Sequence, residues 1–180
     1  MRWTNTVEAV DEFARQLKPG GTLVMACYTR PLILGNERAQ AIWEEIFEAF
    51  VKRKNMGRVF ERATQICSVG YDSISIPLAQ WEIVRRVYIN ASKGIASFKL
   101  GDYTDVDRVG SNEERIWIYG DPDWSDEQRV DWLKKYIATW VPPIPESEVQ
   151  DLWDELERIM AGAKFRMETP LVMVLATKRA

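Results

Sequence analysis

The chain has 180 residues, 46% apolar and 28% charged, ordinary values for one globular domain with its own core. A net charge of −3 and a pI near 5.2 argue against nucleic acid as a partner, since phosphate binding needs a basic surface. Histidine is absent, which excludes Ser-His-Asp and Cys-His catalysis and His-based zinc sites.

No stretch reaches the roughly 18 apolar residues of a membrane span, and the segment from Met1 to Asp11 carries no apolar signal core. These features read as a cytosolic, non-membrane protein. Residues 4–17 read as a helix, with Val7, Val10, Phe13, Ala14 and Leu17 at helical spacing, capped by Thr4 or Asn5 and stopped by Gly20. A Pro19-Gly20-Gly21 turn then leads into Thr22 to Tyr28, a continuous apolar run expected to be a strand buried on both faces. Cys27 within it reads as a reduced core thiol rather than a disulfide partner of Cys67. This junction is how an α/β sheet is wired, and such a domain has further βα units before it. The chain therefore reads as the second half of a fold.

A long amphipathic helix is expected over about 36–54, with Ile42, Trp43, Ile46, Phe47 and Phe50 inward, and a short one over 60–69. Residues 81–90 have strand character, with Trp81, Ile83, Val87 and Ile89 on one face; 113–119 is a second, edge-like strand. Asp121 to Asp126 turns into a helix capped by Ser125, which runs to about Trp140 and stops at Pro142-Pro143. A further helix spans 146–160, and 171–177 is a final buried strand. There is no internal repeat and no low-complexity linker. The eight tryptophans, several between 117 and 153, fit a core or the wall of a ligand pocket.

Three segments in order, LKPGGTLVMACY, WEIVRRVYIN and LVMVLATKR, resemble a class I SAM-dependent methyltransferase. With Asp123-Trp124-Ser125-Asp126-Glu127-Gln128, Trp132, Tyr136 and Thr139-Trp140, the chain is similar to the fungal branch related to trans-aconitate methyltransferase. The resemblance covers nearly the whole chain. It implies an α/β fold: a partial Rossmann-like methyltransferase sheet, later strands only. A helical cap over about 121–162 is inserted before the last strand, and residues 1–180 form one truncated domain.

The family's cofactor is S-adenosyl-L-methionine, held over a Gly-rich turn after the first strand. No GxGxG occurs in these 180 residues. Met1-Arg2-Trp3 falls where the family's fourth strand ends, so the cofactor half is expected to lie before it, and the chain alone is expected neither to hold the cofactor nor to turn over. A gene-model truncation accounts for the same facts. Without a fourth strand, Thr22 to Tyr28 becomes an open edge that invites a homodimer or a complementing methyltransferase chain.

Tyr28 and Arg30 lie at the carboxyl end of that strand, where open α/β sheets bind ligands. Arg30 is placed to pair with a substrate carboxylate and Tyr28 to line the pocket; against this, Arg30 is a solvated turn residue. Trp124, Tyr136 and Trp140 form either an aromatic lid over a small-molecule substrate or the core of the helical insertion. Asp102, Asp105 and Asp107 read as a solvated loop, since a calcium loop's Gly and Glu are missing. One of Arg85 and Arg86 is expected to face solvent. The leading functional expectation is the substrate-capping portion of a methyltransferase for a small carboxylated or hydroxylated metabolite, where catalysis is mostly proximity. The alternatives are a non-catalytic partner of another methyltransferase and a cofactor-free cyclase or isomerase derived from one.

Overall fold

The computed structural model describes residues 3–52, 57–140 and 144–180. Helix α1 (Thr6–Gln16) opens under Asn5, whose side chain accepts from the Val7 and Glu8 N–H groups, satisfying donors that a helix start leaves bare. Gly20 then turns with φ of +76°, a region closed to most side chains, and a Cβ on Gly21 would lie 2.9 Å from the Lys18 carbonyl oxygen. Both glycines are thus required for the chain to enter β1 (Thr22–Tyr28).

The chain continues through β2 (Leu32–Ile33), α2 (Glu37–Val51) and α3 (Gly57–Ser68). It then forms β3 (Trp81–Ile89), β4 (Glu114–Ile118), β5 (Ser125–Gln128), α4 (Val130–Ala138), α5 (Gln150–Met160), β6 (Phe165–Glu168) and β7 (Leu171–Lys178). The main sheet has the order β1-β7-β3-β4, with β7 antiparallel to both neighbours and β3 parallel to β4. Since β7 opposes both, β1 and β3 run the same way. Tyr28 and Ile89 both stand opposite Leu171, so their carboxyl ends share one end of the sheet.

A second, antiparallel sheet of order β2-β6-β5 was not expected. Its strands are two to four residues long, and β5 is the polar run Ser-Asp-Glu-Gln. Ser125 begins β5 and does not cap a helix: its hydroxyl donates to the Asp121 carbonyl at 2.7 Å and closes the preceding turn. The insertion before the last strand is therefore two helices built onto a small sheet. The expected ends at Lys54 and at Pro142-Pro143, and Met1-Arg2, lie outside the described residues.

Two cores result. One joins α1 and α3 to a single face of the main sheet, through Val10, Ala14, Ile66, Met25, Tyr88 and Val174. The other packs α2 against α4 and α5, through Ile42, Trp43, Ile46, Leu133, Trp153 and Leu156. Because α1 and α3 share a face, β1 alternates between buried and exposed residues instead of being buried on both sides. Val24 and Tyr28 are 55% and 54% exposed.

The expected face of β3 is corrected as well. Ile83 sits in a bulge with φ of +50° and is 62% exposed. A bulge inserts one residue and shifts the alternation, so Val84, Arg86 and Tyr88 turn into the core. Arg86 is the inward arginine of the pair and Arg85 the outward one.

Candidate functional site

The end of β1 delivers three consecutive residues to one place. Thr29 N–H still bonds to the Pro170 carbonyl at 3.1 Å, extending the β1–β7 ladder by one residue. Arg30 then turns toward α2, and Pro31 leads away; its carbonyl accepts from the Trp43 indole at 2.7 Å. Arg30 is only 8% exposed. Its Nη2 donates to Glu44 Oε1 at 2.7 Å, and its guanidinium lies 5.5 Å from the centre of the Phe47 ring. Glu44 is shared with Gln40 Nε2 at 2.8 Å, and Gln40 Oε1 in turn accepts from the Ile33 N–H.

Arg30 Nε and the Thr29 hydroxyl are buried without a hydrogen-bond partner. Desolvation lowers the Arg30 pKa, against the nearby charges of Glu44 and Glu48. Beside these groups a cavity of about 300 Å³ opens between the end of β1, α2, α3 and the end of α4. Its aromatic wall is a chain of rings in mutual contact. Trp140 meets Phe50 and Phe47 edge-on, at 4.5 and 4.7 Å between ring centres, and Tyr136 lies 5.5 Å from Trp140. Trp132 stacks on Tyr136 from behind at 5.2 Å. On the α3 side the lining is Phe60, Ala63, Thr64 and Cys67. The Cys67 sulfur lies 3.1 Å from that of Cys27 on β1.

Of the residues singled out from sequence, Tyr28, Arg30, Tyr136 and Trp140 all line this cavity. Trp124 stands apart from the lining, with its ring 6.4 Å from that of Tyr28. Its backbone carbonyl accepts from Asn90 Nδ2 and from the Thr169 N–H. Sequence reasoning did not single out Thr29, and it treated Phe47 and Phe50 as core. The available signal was their place: Thr29 lies between two flagged residues, and the two phenylalanines share the α2 face of Trp43.

A second polar cluster lies toward the β3–β4 edge of the main sheet, and its charged groups pair with one another. Arg86 Nε donates to Glu113 at 2.6 Å, and its two terminal nitrogens donate to the Tyr71 and Ile74 carbonyls at 2.8 Å. Tyr88 donates to Asp72 at 2.5 Å, and Arg115 bridges Asp72 and Asp107. Asp105 is held by Arg62. The acidic loop is thus tied to the body by arginines.

The chain is similar to fungal methyltransferases. It is 28% identical to methyltransferase cfoB of Aspergillus candidus, over 95% of this chain and 59% of that protein. It is 27% identical to methyltransferase ptaI of Pestalotiopsis fici, over 96% and 57%, and 23% identical to methyltransferase pgmE of Aspergillus terreus, over 94% and 58%. The chain thus spans less than two thirds of the length of these curated relatives. No family profile matches it, and no solved structure does.

Methyltransferases of this kind use S-adenosyl-L-methionine, and the residues present do not fit it. The adjacent pair Gly20-Gly21 turns the chain into a strand, not from a strand into a helix. Gly35, between β2 and α2, is a single glycine followed by the Asn36 cap. Among the described residues no glycine-rich cradle stands at the carboxyl end of a main-sheet strand. No helix among them is long and apolar enough to cross a membrane.

Proposed function

We propose that this chain is the substrate-capping, acceptor-binding portion of a SAM-dependent methyltransferase acting on a small carboxylated or hydroxylated metabolite, and that it does not turn over alone. The observation that carries this reading is the aromatic-walled, half-open cavity at the carboxyl end of β1, in a chain similar to fungal methyltransferases over nearly its whole length. The strand order β1-β7-β3 with β7 reversed is what the later strands of a Rossmann-like methyltransferase sheet would give. What these residues can do is bind, orient and shield. Methyl transfer to an oxygen depends chiefly on holding that oxygen in line and away from water, and an aromatic wall with one cation is suited to that.

A second reading, a partner subunit that completes another methyltransferase, is favoured by the free edge of β1. Pairing with β7 uses the backbone of Gly21 and Thr29. By antiparallel alternation, the N–H and C=O groups of Thr22, Val24, Ala26 and Tyr28 point the other way. The Ala26 carbonyl takes the Tyr71 hydroxyl at 3.3 Å and the Tyr28 carbonyl accepts from the Cys27 thiol at 3.4 Å; the remainder form an edge that another strand could extend, in a second copy or in a complementing chain. Calorimetric titration of the purified chain with S-adenosyl-L-methionine, alongside its solution mass, tests the reading. The expected result is no binding. Micromolar binding by a dimer would contradict it, because the dimer would then rebuild a cofactor site.

A further inference from the structure

The cavity holds more information than its volume. Arg30 and Thr29 are each more than nine-tenths buried, both line it, and each leaves a polar atom without a partner. A buried polar group left unpaired is costly, more so when charged. The single counter-charge in contact, Glu44, bonds one terminal nitrogen, is partly solvated, and divides its oxygen between Arg30 and Gln40. The positive charge is therefore incompletely matched where the aromatic wall begins.

We propose that the cavity binds an aromatic carboxylate, which lays its ring against Phe47, Phe50 and Trp140 and draws the Arg30 Nε and Thr29 hydroxyl, closed off from the cavity in the empty site, into contact with its oxygens. This deepens the acceptor-site reading above and rests on it for the location of the site. The choice of ligand follows from the donors. A carboxylate brings two acceptor oxygens and a negative charge, which answers an N–H, a hydroxyl and an under-compensated guanidinium together. A neutral phenol brings a donor of its own and leaves the charge unmatched. A phosphate would call for more donors than these two. The edge-packed rings of Phe47, Phe50 and Trp140 supply an apolar wall for a planar body, with the polar groups of Thr64, Tyr136 and Thr139 around it. Glu44 opposes the incoming anion, so it sets the affinity from the other side.

The test is a binding titration of the purified chain with naphthoate and, as the neutral isostere, naphthamide, read by tryptophan fluorescence and calorimetry without S-adenosyl-L-methionine. Naphthoate is expected to bind at least about tenfold more tightly than naphthamide. Glu44→Gln keeps an acceptor for Arg30 and removes the competing charge, so it should tighten naphthoate binding roughly threefold to tenfold. A misfolded variant would not produce a gain. Arg30→Met should abolish the preference for the anion, and Thr29→Val should weaken naphthoate alone. Equal affinity for the two probes, no binding of naphthoate, or an unchanged affinity in Glu44→Gln would each overturn the proposal and assign the two polar atoms to ordered water. Because no cofactor is present, naphthoate binding without any methyl transfer after complementation would remove only the methyltransferase reading. Methyl transfer without naphthoate binding would remove only this one.

Discussion

Arg86 and Arg30 are both buried beside the same sheet, one on β3 and the other just past β1. Arg86 has its Nε on Glu113 and its terminal nitrogens on two backbone carbonyls, and Asp72 lies 3.7 Å away. Arg30 has one shared carboxylate and an Nε with nothing. A buried ion is tolerated when its hydrogen bonds are complete. Arg86, with a partner on each nitrogen and no exposed surface, fastens the 71–74 turn to the sheet and is closed to a ligand. The incomplete one faces a cavity. Between these two arginines the difference is hydrogen-bond completeness together with a place on the cavity wall; Ser73 Oγ, Gln80 Oε1 and Trp81 Nε1 are also buried without partners but do not line the cavity.

The comparison breaks first at Arg86. Arg86→Met strands the Glu113 carboxylate, itself almost wholly buried, and frees two carbonyls. A loss of about 3–5 kcal/mol is expected from broken buried pairs, visible as a lower midpoint in urea. Tyr88→Phe removes one hydrogen bond to Asp72 but leaves Arg115 on that carboxylate. It should cost about 1–2 kcal/mol in the same assay. Arg30→Met should change stability by no more than about 1 kcal/mol, because Glu44 is partly solvated and the methionine fills apolar space. Its effect is expected in ligand binding, the reverse of the Arg86 pattern. Smallest is Val24→Lys on the bare face of β1, within about 0.5 kcal/mol of the parent. Its readout is solution mass: a lysine on an open edge should reduce any association through β1.

Much of this was legible from sequence where one principle governed. The apolar period of α1, α2 and α5, the glycine turn and the strands β1, β3 and β7 stand within a few residues of where the pattern puts them. Four of the five flagged site residues reach one cavity, because strand ends and helix faces are set by periodicity. The misses have local causes. β2, β5 and β6 are too short and polar to carry an alternation. One bulged residue, Ile83, shifted the alternation so that Val84, Arg86 and Tyr88 face the core, and hid Arg86 from view. The exposed face of β1 was invisible because the same apolar run suits a strand covered on both sides. Trp124 carried the composition of a pocket residue but is pinned by its backbone to Asn90 and Thr169.

The two arginines can be compared in one measurement, by following their side-chain Nε–H resonances in ¹⁵N-labelled chain during titration with naphthoate. The account predicts that the Arg30 Nε–H moves downfield and exchanges more slowly with water as the ligand saturates, while the Arg86 Nε–H, already bonded to Glu113, stays in place. An Arg30 resonance unchanged at saturation, or two arginines that respond alike, would contradict it.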